Sequence, residues 1–94
     1  MMQCNGGRRL TEVVVYTKEG CHLCERVIEK LEELNPTGSV KISARDITQD
    51  QELYERYKNL IPVVAINGKV KLAGAVLADP STLEDVLRKT VFSV

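Results

Sequence analysis

The sequence predicts an α/β fold in which a mixed four-stranded sheet is flanked by helices. Short segments of β-branched or alternating apolar residues occur at four places, and three other segments space their apolar residues as a helix does. The predicted order of elements is β-α-β-α-β-β-α. The sheet is mixed because a β-α-β unit pairs its strands in parallel through a right-handed crossover, whereas a tight hairpin pairs them antiparallel.

The first half of the chain predicts a strand, a helix and a second strand. Residues 12–16 form a β-branched apolar run that is typical of a strand buried on both faces, and the residues 17–20 end it. From residue 21 to 34 apolar side chains recur at helical spacing, and the proline and glycine within 35–38 end this helix. Residues 40–44 alternate apolar and polar side chains, as a strand does.

A short helix is predicted over residues 49–57, and either Thr48 or Asp50 can cap it. Its apolar residues lie at three- and four-residue spacing, which places them on one face of the helix. Three aromatic residues are interpreted as packing residues rather than as a platform for substrate: Tyr16, Tyr54 and Tyr57.

The last third of the chain predicts a hairpin and a helix. Residues 63–66 form an apolar strand, and Asn67-Gly68 favours a type I′ turn, in which both central residues need a positive φ. The return strand, 69–72, carries lysines that suit the edge of a sheet. The sequence Ser81-Thr82-Leu83-Glu84 is typical of a capping box, so we expect Ser81 to cap the last helix.

Length and composition indicate one soluble domain. The 94 residues fit a single domain, which we place at 11–94 behind a flexible leader, 1–10. The proportions of hydrophobic residues (44%) and charged residues (28%) exclude an intrinsically disordered chain. The 13 basic and 13 acidic residues leave no basic excess for nucleic-acid binding, and no apolar run is long enough to span a membrane. Since no secretory signal is visible, we expect a cytoplasmic monomer that binds neither nucleic acid nor membranes.

The three cysteines are the most informative residues. Cys4 lies in the leader and is interpreted as a bystander, whereas Cys21 and Cys24 form a Cys-x-x-Cys pair. In a chain without an export signal, such a pair favours redox or metal chemistry over a structural bridge. A zinc site needs four ligands, and the single histidine, His22, is too close to both cysteines to complete one comfortably. Two inert, buried thiols are the remaining alternative.

The two cysteines are expected to have different roles. Cys21 lies where the first strand meets the first helix, so the free N–H groups and the positive end of the helix dipole stabilise its thiolate. We therefore expect the pKa of the Cys21 thiol to lie below its usual value of ~8.5 and Cys21 to be the nucleophile. Cys24 follows one helical turn later, at a Cα separation of about 5 Å that a disulfide can bridge. Cys24 is the natural resolving cysteine.

These residues carry a resemblance to a known family. The sequence Tyr16-Thr17-Lys18-Glu19-Gly20-Cys21-His22-Leu23-Cys24, the Ile61-Pro62 pair before the third strand and Ala73-Gly74 after the fourth resemble glutaredoxin. The closest likeness is to the glutaredoxin-like branch of thioredoxin-fold proteins whose motif reads C-H-L-C. The resemblance implies a thioredoxin-like fold, a dithiol–disulfide active site and a cis peptide bond before Pro62 that faces Cys21.

The resemblance also implies a set of substrate-binding residues. Lys18 corresponds to a lysine near the glycyl carboxylate of glutathione, Ile61 to the residue whose backbone pairs with the glutathione cysteine, and Gly74 to a glycine near the γ-glutamyl end. The implied set is Lys18, Ile61, Pro62 and Gly74.

The chain departs from the glutaredoxin pattern at two positions. Ala73 replaces the first glycine of the pair, and Leu77 stands where an aspartate is expected. Asp79 and Ser81 lie a little further along the chain. We therefore expect glutathione to bind more weakly here than in an ordinary glutaredoxin, because its amino group loses a charge-assisted hydrogen bond.

The leading functional prediction is a small dithiol oxidoreductase that reduces protein or glutathione mixed disulfides through Cys21 and Cys24. No glycine motif for a nucleotide is present, so we expect no bound cofactor. The expected electron donors are glutathione or a flavoenzyme like thioredoxin reductase. Two alternatives stay open: a non-enzymatic redox-sensing or binding module, and a metal or iron–sulfur carrier that uses Cys21.

Overall fold

The computed structural model describes residues 11–36, 38 and 40–92. The leader 1–10, with Cys4, lies outside the described residues, so its flexibility stays a prediction. The strands and helices follow the predicted order: β1 Thr11–Thr17, α1 His22–Glu33, β2 Val40–Asp46, α2 Gln51–Tyr57, β3 Val63–Ile66, β4 Lys69–Ala73 and α3 Pro80–Val91. Two 3₁₀ turns that the sequence analysis did not predict, Ile47–Gln49 and Gly74–Leu77, precede α2 and α3.

The four strands form one mixed sheet in the order β2-β1-β3-β4. The β1 and β2 strands are parallel, whereas β3 is antiparallel to both β1 and β4, which confirms the predicted sheet. Tyr16 near the end of β1 lies opposite Val63 at the start of β3, and Val63 lies opposite Ala73 at the end of β4. These three chain segments therefore leave or enter the sheet on the same side, the edge formed by the end of β1, the start of β3 and the end of β4.

The hydrophobic core lies between one face of the sheet and the helices α1 and α3. Val13 and Val15 of β1 are fully buried on this face, whereas Val14 and Tyr16 on the other face are only half-buried. The prediction that β1 is buried on both faces is therefore wrong, because the short α2 covers the second face only in part. The core cluster contains Val13, Val15, Val27, Leu31, Val40, Val64, Leu77, Leu83, Leu87 and Val91.

The helix caps agree with the sequence at α2 and differ at α3. Asp50 caps α2, because its carboxylate accepts the N–H groups of Glu52 and Leu53 at 2.9 and 3.2 Å. The last helix is capped by Asp79 and not by Ser81, so the predicted capping box is wrong. Pro80 follows the cap at the first helical position. A backbone N–H at that position has no partner within the helix, so proline, which lacks the N–H, costs no hydrogen bond there.

The turn between β3 and β4 has the predicted geometry. Asn67 and Gly68 have φ angles of 51° and 86°, the pair of positive values that a type I′ turn requires. The side-chain oxygen of Asn67 also accepts the N–H of Glu12 at 2.9 Å, which ties the turn to the beginning of β1. Among the described residues, no helix is both long enough and apolar enough to cross a membrane.

Candidate active site

The fold brings the three segments of the sequence motif to one edge of the sheet. Cys21 lies four residues beyond β1, Pro62 comes directly before β3, and Gly74 comes directly after β4. Since the register places the corresponding ends of these strands side by side, the three segments meet there. The N–H of Gly74 donates to the carbonyl oxygen of Pro62 at 3.0 Å, which links two of the segments directly.

The segment between β1 and α1 is a tight turn that presents Cys21 at the helix N-terminus. The N–H of Cys21 donates to the carbonyl oxygen of Lys18 at 3.2 Å, and Gly20 between them has a φ of 85°. A type II turn needs such a positive φ at its third position, so glycine is the residue that fits there. Lys18 is exposed, and its role in substrate binding stays a prediction.

Cys21 and Cys24 form a disulfide in this structure, and their Cα atoms are 5.3 Å apart, close to the separation expected from the sequence. Cys21 is the N-cap of α1, and its sulfur accepts the N–H of Cys24 at 3.2 Å. The Cys24 side chain is fully buried, whereas Cys21 is only half-buried. Cys21 is therefore the more accessible of the two cysteines, and it also lies at the positive end of the helix dipole.

His22 between the cysteines points into solvent, as expected for a solvated imidazole. Its side chain is 92% exposed, and its Nδ1 lies 4.0 Å from a carboxylate oxygen of Glu25. A pair this exposed contributes little to stability. Within the described part of the chain, no three histidine, cysteine, aspartate or glutamate side chains lie close enough to hold a metal ion.

The segment before β3 contains the cis bond that the resemblance implied. The Ile61–Pro62 peptide is cis, and the Pro62 side chain is buried while that of Ile61 is half-buried. The N–H of Ile61 donates to the carbonyl oxygen of Tyr57 at 3.1 Å, and the N–H of Leu60 donates to the same oxygen at 2.8 Å. Because the Ile61 N–H is already engaged with Tyr57, the Ile61 backbone group that can accept a hydrogen bond from another chain segment is its carbonyl oxygen.

The segment after β4 turns at Gly74, which has a φ of 61°. A side chain at this position would meet the carbonyl oxygen of Leu60 at 3.5 Å, an ordinary contact distance. The left-handed backbone rather than a lack of space therefore favours glycine here. Ala73 before it is half-buried.

Comparison with known proteins identifies the family. The chain matches the model of the glutaredoxin-like domain (DUF836) over residues 12–90. It belongs to this family. No curated protein matches the chain.

Solved structures support the same fold for this glutaredoxin-like domain. It is similar to protein Ne2328 from Nitrosomonas europaea, with 25% identity, a TM-score of 0.66 and coverage of 87% of this chain and 95% of that one. It is also similar to Fasciola hepatica thioredoxin, with 22% identity, a TM-score of 0.60 and coverage of 88% and 79%. The oxidised thioredoxin from Plasmodium falciparum matches at 21% identity with a TM-score of 0.58 and coverage of 89% and 82%. The fold is thioredoxin-like.

Leu77 and Asp79, at and near the position where the glutaredoxin pattern has an aspartate, both have structural roles in this glutaredoxin-like domain. Leu77, in the place of the expected aspartate, is fully buried in the core. Asp79 accepts both the N–H and the hydroxyl of Ser81, at 3.0 and 2.7 Å, and these hydrogen bonds hold the pKa of its carboxyl below the usual value. Asp79 is therefore already engaged as a helix cap.

The structure also shows site-edge residues that the sequence analysis did not select. The Leu60 and Val76 side chains are each 45% exposed, one in the segment before Pro62 and the other in the 3₁₀ turn that begins at Gly74. Tyr57, which the sequence places among the packing residues, contacts Tyr16 near the end of β1. The only sequence signal for Leu60 and Val76 is their position next to the motif residues, since neither belongs to a periodic apolar pattern.

Proposed function

We propose that this protein is a small dithiol thiol–disulfide oxidoreductase in which Cys21 attacks and Cys24 resolves. One observation supports the proposal above all others. The Cys21 sulfur lies at the N-terminus of α1, 3.2 Å from the Cys24 nitrogen, and the Cys21 residue is only half-buried, whereas Cys24 is fully buried with its sulfur at bonding distance from that of Cys21. This arrangement gives one reactive sulfur and one internal partner.

The proposed reaction begins with the reduced protein. The Cys21 thiolate attacks one sulfur of a substrate disulfide, so that a Cys21–substrate disulfide forms, the substrate's own S–S bond breaks, and the leaving thiolate takes a proton from solvent. The Cys24 thiol then loses its proton and attacks the Cys21 sulfur, which releases the second substrate thiolate. The substrate gains two electrons, and the Cys21–Cys24 disulfide remains.

The oxidised pair needs two electrons from a donor before it can react again. We propose glutathione or a flavoenzyme like thioredoxin reductase as this donor, acting by the same exchange in the opposite direction. Lys18, Ile61, Pro62 and Gly74 are proposed to bind the disulfide partner, since three of them lie in segments that meet at the edge beside Cys21 and the fourth belongs to the turn that carries it.

Protein disulfides fit this site better than glutathione does. Asp79 is engaged as a helix cap and Leu77 is buried, so neither supplies the carboxylate that the γ-glutamyl amino group needs. Leu60 and Val76 instead present apolar surface at the site edge, which an extended peptide can cover. Glutathione-dependent turnover that saturates at low concentration would contradict this preference.

Substitution of each cysteine tests the proposed roles. We expect Cys21→Ser to abolish disulfide exchange, whereas Cys24→Ser should accumulate a mixed disulfide that mass spectrometry detects. Cys4→Ser is the matched control and should behave as wild type. Alkylation of the reduced protein at low pH that labels Cys24 before Cys21 would show that the roles are assigned wrongly.

The reduction potential of the pair identifies the donor. Equilibration against glutathione and thioredoxin buffers, followed by alkylation and mass measurement, gives this potential. A value in the range of ~−200 to −230 mV favours glutathione, and a value near ~−270 mV favours a thioredoxin-type donor. A protein whose cysteines exchange with neither buffer would instead be a binding module on the same fold.

A further inference from the structure

We propose that Tyr57 is a positioning residue for the substrate-binding backbone, an inference that rests on the proposed function. Tyr57 is the last residue of α2 and lies four positions before Ile61. Its carbonyl oxygen accepts the N–H groups of both Leu60 and Ile61. The orientation of the Ile61 peptide therefore depends on where the end of α2 is held.

The end of α2 is held against the sheet by an aromatic contact. The ring centroids of Tyr57 and Tyr16 are 4.8 Å apart and the ring planes are inclined by 32°, a favourable geometry for an aromatic pair. Tyr16 lies in β1 opposite Val63, so it belongs to the sheet edge where the site is built. The ring of Tyr57 thus joins the segment before Pro62 to the strand that leads to Cys21.

The α2 helix has no fully buried residue with which to anchor it. Its half-buried side chains are Leu53, Tyr54 and Tyr57. Tyr54 lies beneath the Lys58 ammonium group, which is 5.7 Å from its ring centroid, and so contacts its own helix end. Tyr57, by contrast, contacts Tyr16 of β1 through its ring, and its carbonyl oxygen accepts the N–H of Ile61.

The consequence is a selective effect on substrates that dock through their backbone. Ile61 offers its carbonyl oxygen to a substrate, and an extended peptide can donate an N–H to it as a neighbouring strand does. If the Tyr57 ring is lost, the end of α2 is released and this oxygen is no longer held in place. A small disulfide without a peptide backbone does not use the oxygen and should not be affected.

The test compares two disulfide substrates in single-turnover reactions of the reduced, full-length protein. One is a short peptide with a mixed disulfide at a central cysteine, and the other is bis(2-hydroxyethyl) disulfide. For Tyr57→Leu we expect the half-saturating peptide concentration to rise about two- to tenfold at an unchanged limiting rate. The free energy of an aromatic pair corresponds to a change in binding constant of about this size. The rate with the small disulfide should equal that of wild type.

Two further variants separate positioning from stability. Tyr57→Phe keeps the stacked ring and should retain wild-type values for both substrates. Tyr54→Leu removes an aromatic ring from the same helix without touching Tyr16 and should leave the half-saturating peptide concentration unchanged. If Tyr57→Leu does not fold, Tyr57→Met, which keeps most of the side-chain volume but not the flat ring, replaces it.

Each result decides between distinct conclusions. Equal half-saturating peptide concentrations for wild type, Tyr57→Leu and Tyr54→Leu overturn the positioning role and leave the proposed function intact. An equal loss of rate with both substrates in Tyr57→Leu also overturns it, because the effect would then be general. A wild-type protein that reduces neither disulfide refutes the proposed function and, with it, this role.

Discussion

Leu77 occupies the place of the aspartate that an ordinary glutaredoxin carries, and Leu77→Asp tests whether that departure is structural. The leucine side chain is fully buried in the core cluster with Leu83 and Leu87 of α3. Removing a buried leucine side chain costs about 2–5 kcal/mol of folding free energy, because apolar surface is lost and a cavity remains. A buried carboxyl without a hydrogen-bond partner adds a further cost of about 1–3 kcal/mol.

The expected loss for Leu77→Asp is therefore at least about 3 kcal/mol, a large share of the roughly 5–15 kcal/mol that stabilises a typical domain. Urea unfolding followed by circular dichroism measures it. We expect the midpoint to fall by about 1 M or more, since the free energy changes by roughly 1–3 kcal/mol per molar urea.

The loss should also depend on pH. Burial raises the pKa of a carboxyl in the folded protein above its unfolded value, so the aspartate binds a proton more tightly when folded. Stability is then greatest below the unfolded pKa and falls as the pH rises through the folded pKa. Leu77→Asp should accordingly be less destabilised at about pH 4 than at about pH 7.

Two control variants make this result specific. Leu77→Ala should show the loss of burial without the pH dependence, and Ala78→Asp, at the exposed neighbouring position, should be close to wild type. Equal stability of Leu77→Asp and Ala78→Asp would show that the Leu77 side chain does not stabilise the core. Saturable glutathione-dependent turnover by Leu77→Asp would show the same, because the position would then face the ligand and not the core.

Three further predictions concern local structure. Asp50→Ala should lower the free energy of unfolding by about 1 kcal/mol through loss of the α2 cap, whereas Gln49→Ala should change it little; equal effects in urea titrations would contradict this. Gly20→Ala should cost about 1–2 kcal/mol, because alanine is strained at a φ of 85°, and an unchanged urea midpoint would argue against the turn. Ser81→Ala should raise the pKa of Asp79 in an NMR titration, since two Ser81 groups now lower it and one is removed. The cap stabilises the fold above the unfolded pKa of Asp79 and loses this effect as the pH falls through the lowered folded pKa, so acid unfolding of Ser81→Ala should begin at higher pH.

Much of this protein is determined by signals within a few residues. The Asn67-Gly68 turn, the strand over residues 40–44 and the spacing of Cys21 and Cys24 each depend on backbone geometry over a single turn or strand, and the structure confirms all three. The order of elements follows from these local patterns, and the mixed sheet follows from the rules that join them.

Other features depend on residues that are distant in the sequence. The second face of β1 is only partly covered because α2 is short, and the apolar run in β1 does not contain that information. Ser81 and Asp79 can both cap a helix, and Asp79 does so because Pro80 fits the first helical position directly behind it.

The candidate site also combines features that the local sequence determines with features that depend on how the whole chain packs. The sequence alone identifies Cys21 and Cys24 as a pair, since their chemistry and spacing are local. Only the tertiary structure places Tyr57 against Tyr16 and buries Leu77, because these contacts join segments that are distant in the sequence. Pairwise contacts of this kind depend on how the whole chain packs, so a pattern within one segment cannot specify them.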